Sequence, residues 1–165
     1  MMLTVTLVLF AGLATCAKLV GGAPPIHDIS TDTNDPPLFV DVLPLRENAK
    51  NPVVYEGSRV AMLQHSAYPD IAPVDLPIVP AEAFVKALAA ATAMGWVIVA
   101  ADAPGGRIEA TATTRVFRFK DDVVVRIRAR ANGSRVDVRS VSRIGVGDLG
   151  KNASRVREFI SRLRA

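Results

Sequence analysis

The apolar positions from Pro80 onward change from a helical to an alternating period and then return to a helical one. Between Ala81 and Met94 the chain is rich in Ala, and Phe84 and Leu88 share one side of a helix with that period. Pro80 suits the first turn because no helical hydrogen bond is lost there, and Gly95 is typical of a helix end. We therefore predict a helix over Ala81–Met94.

Four strand-like runs follow this helix, and residues typical of turns separate them. Short turns join antiparallel neighbours, so these runs predict an antiparallel meander. The predicted strands are Trp96–Ala101, Arg107–Phe119, Val123–Arg130 and Arg135–Ile144, and the predicted turns are Pro104–Gly106, Lys120–Asp122 and Asn132–Gly133.

Arginine alternates with apolar residues in the last two predicted strands. Because successive side chains point to opposite faces of a sheet, the Arg residues of each strand share a face. We expect both rows on the same exposed face, where Asp137 alone offsets their charge. The rows, called the Arg rows below, are Arg126, Arg128 and Arg130 in the third strand and Arg135, Arg139 and Arg143 in the fourth.

The end of the chain carries an amphipathic helical stripe. Val156, Phe159, Ile160 and Leu163 recur at the spacing of one helix face, so we expect that face to cover the apolar side of the sheet. The predicted element order is α-β-β-β-β-α. The fold class is α+β, with one helix before and one after a four-stranded antiparallel meander.

A long proline-rich segment precedes this domain. Ten of the eleven prolines lie between Gly21 and Pro80, and turn-forming sequences interrupt the segment. Apolar residues are spread through it, which favours an ordered strap that wraps the domain. We divide the chain into residues 1–20, a leader or membrane anchor; residues 21–80, an irregular strap; and residues 81–165, the α+β domain.

The first 17 residues have no charged side chain and contain the apolar run of a secretory leader. Three interpretations stay open: a cleaved leader, a retained membrane anchor, and a lipoprotein signal acylated at Cys16. Since Cys16 is the only cysteine, we expect no disulfide, Cys-based zinc site or thiol nucleophile in the folded part. We expect a protein of the cell envelope, either membrane-anchored or exported to the periplasm.

Formal charge divides the chain into an acidic and a basic part. The net charge of +4 is the sum of −6 between Pro25 and Ala103, +9 between Pro104 and Ala165, and +1 from Lys18. Either the basic part lies against the acidic part, or it forms a surface for an anionic partner. Only 5% of residues are aromatic, so the stacking platform of single-strand binders is missing and we expect no nucleic-acid partner.

A G-x-G-x-x-G pattern, residues 145–150, lies between a predicted strand and the last predicted helix. No second parallel strand completes a dinucleotide-binding unit, and no acidic residue follows at about twenty positions for a ribose. Two interpretations remain. Backbone N–H groups could face an anion beside Arg143 and Lys151, or Asp148 or Asn152 could cap the helix.

The acidic residues of the strap have no spacing typical of a metal site. His27, Asp28, Asp32 and Asp35 supply ligand atoms without a recognised pattern, so we predict no metal and no cofactor. These carboxylates could instead pair with the Arg rows and join the strap to the sheet.

Three stretches of the sequence resemble one family. FRFKDD at residues 117–122 and VRSVSRIGVGDLGKN at 138–152 are similar to the signature of the uncharacterised bacterial domain-of-unknown-function family 1499. Residues 26–39 are similar to the opening motif of a subgroup. The resemblance implies an envelope location and no particular reaction. It marks as candidate site residues Asp121, Asp122, Arg139, Ser140, Ser142, Arg143, Gly145, Asp148, Gly150 and Asn152.

Three functions remain open. The leading hypothesis is a non-enzymatic envelope domain that binds an anionic small molecule, a lipid headgroup or a protein partner through the Arg rows and residues 145–152. In the second, an internal Arg, Asp and Ser network joins the strap to the sheet, and the domain contacts another envelope protein. The third is a hydrolase or transferase that uses Ser140 or Ser142 with Asp121 or Asp122.

Overall fold

The computed structural model describes residues 22–165, so the predicted leader or anchor, with Cys16, lies outside the described residues. None of the helices within 22–165 has both the length and the apolar character needed to cross a bilayer.

Residues 22–165 form six strands in one antiparallel sheet and three α-helices, which confirms the α+β class. A short 3-10 helix, Leu43–Arg46, lies in the strap. The strands are β1 (Asp28–Ser30), β2 (Val74–Leu76), β3 (Val97–Asp102), β4 (Arg107–Thr113), β5 (Lys120–Arg130) and β6 (Gly133–Ser142), and the helices are α1 (Ser58–Ala67), α2 (Pro80–Ala93) and α3 (Lys151–Arg164).

The predicted four-stranded sheet is too small. β3, β4, β5 and β6 form the expected meander, but two strands of the strap extend it along the outer edge of β6. β1 places Asp28 opposite Val141, and β2 places Val74 opposite Val136. Each added strand has three residues, which is too short for an alternating pattern to identify it.

The turn between β4 and β5 also differs from the prediction. It lies at residues 114–119, so Lys120–Asp122 are strand residues and not the turn. Asp is common in turns, which is why the sequence favoured one there. Instead, Asp121 pairs with Ser142 and Asp122 with Val141 across the β5–β6 ladder. Their side chains therefore point to opposite faces of the sheet.

One face of the sheet packs on α2 and α3 as the apolar pattern predicts. Val123, Val125 and Val138 of the sheet are buried there. Trp96 stacks on Phe159 of α3, with ring centroids 5.2 Å apart. The predicted α3 stripe is buried in full: Val156, Phe159, Ile160 and Leu163.

The strap covers the other face, so the prediction of an exposed Arg face is wrong for most of its length. Phe39 and Val42 of the strap pack on Val124 and Val141 in a second, smaller apolar cluster. The fully buried carboxylate of Glu109 accepts the Val40 and Val42 N–H groups at 2.8 and 2.9 Å. Alternation had identified the correct face, but it carries no information about what covers that face.

The buried side chain of Gln64 joins α1 to the sheet by hydrogen bonds. Gln64 accepts the N–H of Ser30 through Oε1 at 2.9 Å and donates from Nε2 to the Ser30 carbonyl at 2.7 Å. Because Gln64 is fully buried, water does not compete for these bonds. The amide therefore completes β1 much as a neighbouring strand would.

We expect Gln64→Ala to lower the free energy of unfolding by about 2–4 kcal/mol, because two buried backbone groups lose their partner. Met62→Ala, on the exposed side of the same helix, is the matched control, with an expected change within about 0.5 kcal/mol. Urea denaturation measures both variants. Equal effects would contradict this role for Gln64.

Candidate functional site

The candidate residues lie near one end of β5 and β6, but the sheet divides them between its two faces. The face under the strap holds Asp122, Arg139 and Arg143, which we call the strap-face network. The face under α3 holds the second group, called the helix-face network: Asp121, Ser140, Ser142, Asp148, Gly150 and Asn152.

Arg139 is the centre of the strap-face network and is only 1% exposed. Its Nε and Nη2 donate to the two carboxylate oxygens of Asp28 at 3.0 and 2.7 Å. Nη1 donates to the Pro37 carbonyl at 3.1 Å, and Nη2 also donates to the Val53 carbonyl at 2.7 Å. One guanidinium thus holds β1 and two separate points of the strap.

Two aromatic rings contact the same guanidinium. The Arg139 Cζ lies 5.2 Å from the ring centroid of Phe39 and 5.4 Å from that of Tyr55, which is cation–π distance. Burial, with a smaller contribution from the Asp28 charge, raises the pKa of Tyr55 to about 12. Burial also raises the pKa of Asp28, and Arg139 opposes that shift.

Asp122 is the second hub of the strap-face network and is fully buried. Arg143 donates to its carboxylate through Nε at 2.9 Å and Nη2 at 2.8 Å, while Nη1 reaches the Leu45 carbonyl at 2.7 Å. Thr111 Oγ1 donates to Asp122 at 2.8 Å, and Arg46 of the 3-10 helix also donates to it. This carboxylate therefore joins three strands to the strap.

Gly145 contributes a carbonyl group to the strap contact. Asn51 Nδ2 donates to the carbonyl oxygens of Gly145 at 2.9 Å and Ser142 at 3.0 Å. The strap therefore also holds the start of the β6–α3 connection.

Arg126, Arg128 and Arg135 of the Arg rows pair with acidic residues near the surface, whereas the exposed Arg130 forms no ion pair within residues 22–165. Arg126 and Arg128 both contact the buried carboxylate of Asp137 at 3.0 Å. They also contact Asp32 and Asp35 of the strap at 2.9–3.3 Å. The acidic strap thus lies on the basic sheet, as one of the two charge interpretations required.

Asn152, at the start of α3, is the centre of the helix-face network. Its Oδ1 accepts the Ser140 hydroxyl at 2.6 Å, and its Nδ2 donates to the Ser142 hydroxyl at 2.9 Å and the His27 carbonyl at 3.0 Å. Arg155 extends the network, donating to Asp121 at 2.6 Å and to Ser140 Oγ at 2.9 Å. The network joins α3 to β1, β5 and β6.

Asp148 satisfies backbone donors at the start of α3. Its carboxylate accepts the N–H groups of Gly150, at 2.9 Å, and Asn152. Gly150 has φ +78, a left-handed conformation that glycine adopts without strain. Burial raises the pKa of Asp148. These N–H groups therefore already have an acceptor within the chain. This agrees with the interpretation of the G-x-G-x-x-G pattern in which Asp148 caps the helix.

The sequence did not indicate several members of these networks. Arg155 is polar within an amphipathic helix and Arg46 lies in the strap, and neither position has a local pattern that marks a buried contact. They meet Asp121 and Asp122 only through tertiary folding. The members missed in this way are Arg46, Asn51, Thr111, Glu109 and Arg155.

Asp121 lies opposite Ser142 in the ladder, but within residues 22–165 no hydrogen bond joins a carboxylate to the hydroxyl of Ser140 or Ser142. The Ser140 hydroxyl donates to an amide oxygen, and Asp121 and Asp122 lie on opposite faces of the sheet. In residues 22–165, no group of three or more His, Cys, Asp or Glu residues could hold a metal. Two shallow depressions, one beside Arg130 and Arg135 and one along α2, contain no candidate residue.

The geometry defines a small α+β domain in which buried Arg–Asp pairs close a strap over a sheet. A family model, "Protein of unknown function (DUF1499)", matches residues 28–163. Because this match covers most of the chain, the chain belongs to the DUF1499 family. A comparison with curated proteins returned no match.

We expect Asp148 and Asp70 to affect stability with opposite pH dependences. Burial raises the pKa of Asp148 above its usual 3.8, so its contribution to the free energy of unfolding falls as pH rises from 3.8 through the folded pKa. The hydrogen bonds from Arg157 lower the pKa of Asp70. Its contribution is therefore present above 3.8 and is lost as pH falls through the folded pKa.

Urea denaturation across the acid range measures this difference when Asp148→Asn and Asp70→Asn are each compared with the unchanged protein. Added salt should weaken the Asp70 effect, because that ion pair is exposed. The same pH slope for both carboxylates would contradict the expectation.

Proposed function

We propose that this chain is a non-enzymatic interaction domain of the bacterial cell envelope. Its N-terminal segment holds it at a membrane, and its polar family motif joins the strap to the sheet. The observation that carries this proposal is the pair of two-point Arg–Asp contacts, Arg139 with Asp28 and Arg143 with Asp122, whose remaining donors also reach strap carbonyls.

Arg139 and Arg143 are poor candidates for an open anion site because each of their donor nitrogens already has a partner. An anion at Arg139 would have to displace Asp28, and one at Arg143 would have to displace Asp122. Each carboxylate already fits the planar guanidinium at two points, the geometry that makes such pairs strong. Displacement would also open the strap, so the network favours a structural role over ligand exchange.

The hydroxyl groups of the motif support a non-enzymatic role. A serine nucleophile needs a base that removes its proton, whereas Ser140 donates to Asn152 and is fully buried. Ser142 is also buried, and its hydroxyl oxygen accepts a hydrogen bond from Nδ2 of the same amide group. Both hydroxyl groups thus have partners that hold α3 on the sheet.

Membrane attachment is supported by the sequence and by the family. The first 17 residues are free of charge and mostly apolar, as in a leader or an anchor. The family match begins at residue 28, so ten residues, 18–27, separate that run from the matched domain. The interaction partner then lies at or near the membrane surface.

We expect Asp28→Asn to lower the free energy of unfolding by about 3–5 kcal/mol, because it leaves a buried guanidinium without its counter-ion. Asp75→Asn is the matched control: Asp75 also contacts an Arg of β6, Arg135, at two points, but that pair is exposed. We expect the control to lose less than about 1 kcal/mol. Equal losses in urea denaturation would contradict the structural role.

A titration with inorganic pyrophosphate tests the ligand alternative. We expect the melting temperature of the full chain to be the same with and without it, since each donor nitrogen of Arg139 and Arg143 already has a partner. A rise in melting temperature that Arg143→Lys abolishes and Arg135→Lys retains would instead establish an anion site at the motif.

A further inference from the structure

Two loops leave the sheet side by side at the end where β5 begins and β6 ends. The N–H of Arg143 donates to the Lys120 carbonyl at 3.1 Å, which keeps the loops adjacent. One loop is residues 114–119 and the other is residues 143–150; together we call them the loop end. The strap-face and helix-face networks lie behind it and do not use its exposed side chains.

Large apolar side chains of the loop end point into solvent. Phe117 is 73% exposed and Leu149 is 86% exposed. Phe117 stacks on Phe119, with ring centroids 5.5 Å apart. An exposed cluster of this kind is unfavourable in water and is typical of an interaction surface. The apolar residues are Val116, Phe117, Phe119, Ile144, Val146 and Leu149.

The backbone of both loops is held in an uncommon conformation. Arg118 has φ +57 and Leu149 has φ +53, and they are the non-glycine residues with positive φ in the described part of the chain. L-residues with side chains adopt this region rarely and at a local cost. The strain holds an apolar side chain and a cation outward at the tips of the two loops.

Exposed cations surround these apolar side chains. None of them forms an ion pair within residues 22–165, and residues 1–21 contain no Asp or Glu. Asp148 is the acidic residue of the loop end, and its carboxylate accepts hydrogen bonds from N–H groups at the start of α3. The exposed cations are Arg115, Arg118, Lys120 and Lys151.

The N-terminal segment leaves the domain at the same end. β1 begins where β6 ends, since Asp28 lies opposite Val141. Pro25 lies against Gly147, and Ala23 lies against Gly150. Residues 18–24 separate the apolar run from this point and span at most about 25 Å when fully extended. If the apolar run of the first 17 residues lies in a bilayer, this short connection therefore keeps the loop end close to the lipid headgroups.

We propose that the loop end docks on the surface of an anionic phospholipid bilayer, an inference that rests on the membrane attachment proposed above. Its apolar tips enter the boundary between headgroups and acyl chains, and its cations contact lipid phosphates. Unpaired cations around an apolar tip, next to the exit of an apolar segment, fit a lipid surface better than a neutral protein surface. The partner of the domain is then the membrane itself.

A fluorescent label on the full chain tests this docking. Val146→Cys in a Cys16→Ser background leaves one thiol, which carries the environment-sensitive NBD group; Asn132→Cys, in the β5–β6 turn at the opposite end, is the matched position. The chain is reconstituted in phosphatidylcholine vesicles with or without phosphatidylglycerol. With phosphatidylglycerol, we expect NBD emission to rise several-fold and shift to the blue at position 146 and to stay unchanged at position 132.

Charge variants test the role of the cations. We expect Arg115→Glu with Arg118→Glu to remove most of the emission rise at position 146, and added salt to reduce it. Arg130→Glu with Arg164→Glu changes the net charge equally at exposed sites away from the loop end, and we expect it to retain the rise. Equal loss in both double variants would overturn a specific role for the loop end.

Flotation of the same vesicles, repeated with an unlabelled chain that keeps Cys16, separates the two proposals. If the chain floats with the vesicles but position 146 stays quenched, the docking inference is overturned and membrane attachment stands. If the chain stays in solution, both are overturned. An equal rise in emission with phosphatidylcholine alone would indicate an apolar contact that does not need anionic lipid. A rise with protein concentration in lipid-free detergent would indicate a contact between protein molecules. Either result would also overturn docking on anionic lipid.

Discussion

The ion pair between Arg139 and Asp28 is the contact on which the closed form of this domain depends. A guanidinium and a carboxylate that are buried separately are each strongly unfavourable, and only their direct pairing offsets the lost hydration. Arg139 lies on β6 and Asp28 on β1, so the pair forms only when the strap adds its strand to the sheet. The other donors of Arg139 then reach strap carbonyls. The strap thereby covers a sheet face whose charged side chains would otherwise be exposed to water.

The same constraint changes the interpretation of the family motif. Residues that resemble a binding site in sequence, with Arg, Asp, Ser and Gly in close spacing, are divided by the sheet into two networks. One network holds the strap and the other holds α3, and each connects segments that are far apart in the chain. Exposed groups without partners are found instead at the loop end, where the motif residues support the loops from behind.

Much of the domain could be predicted because its elements are long and strongly periodic. The α3 stripe and the alternation in β5 and β6 identified the buried faces correctly. β1 and β2 were missed because three residues are too few to show a period, and because their pairing with β6 is a long-range choice. Asp121 and Asp122 were assigned to a turn because residue type outweighed the pairing that places them in β5.

The sequence alone therefore determined which side chains share a face, where α2 and α3 lie and how charge divides between strap and sheet, since these follow from local period and composition. It did not predict α1, which lies in the segment expected to be irregular. Only the tertiary structure decided that the Arg face is covered, because Asp28 and Arg139 are 111 residues apart and no local pattern links them. For the same reason, it was the fold that placed the exposed tips of two separate loops beside the point where the N-terminal segment leaves the domain.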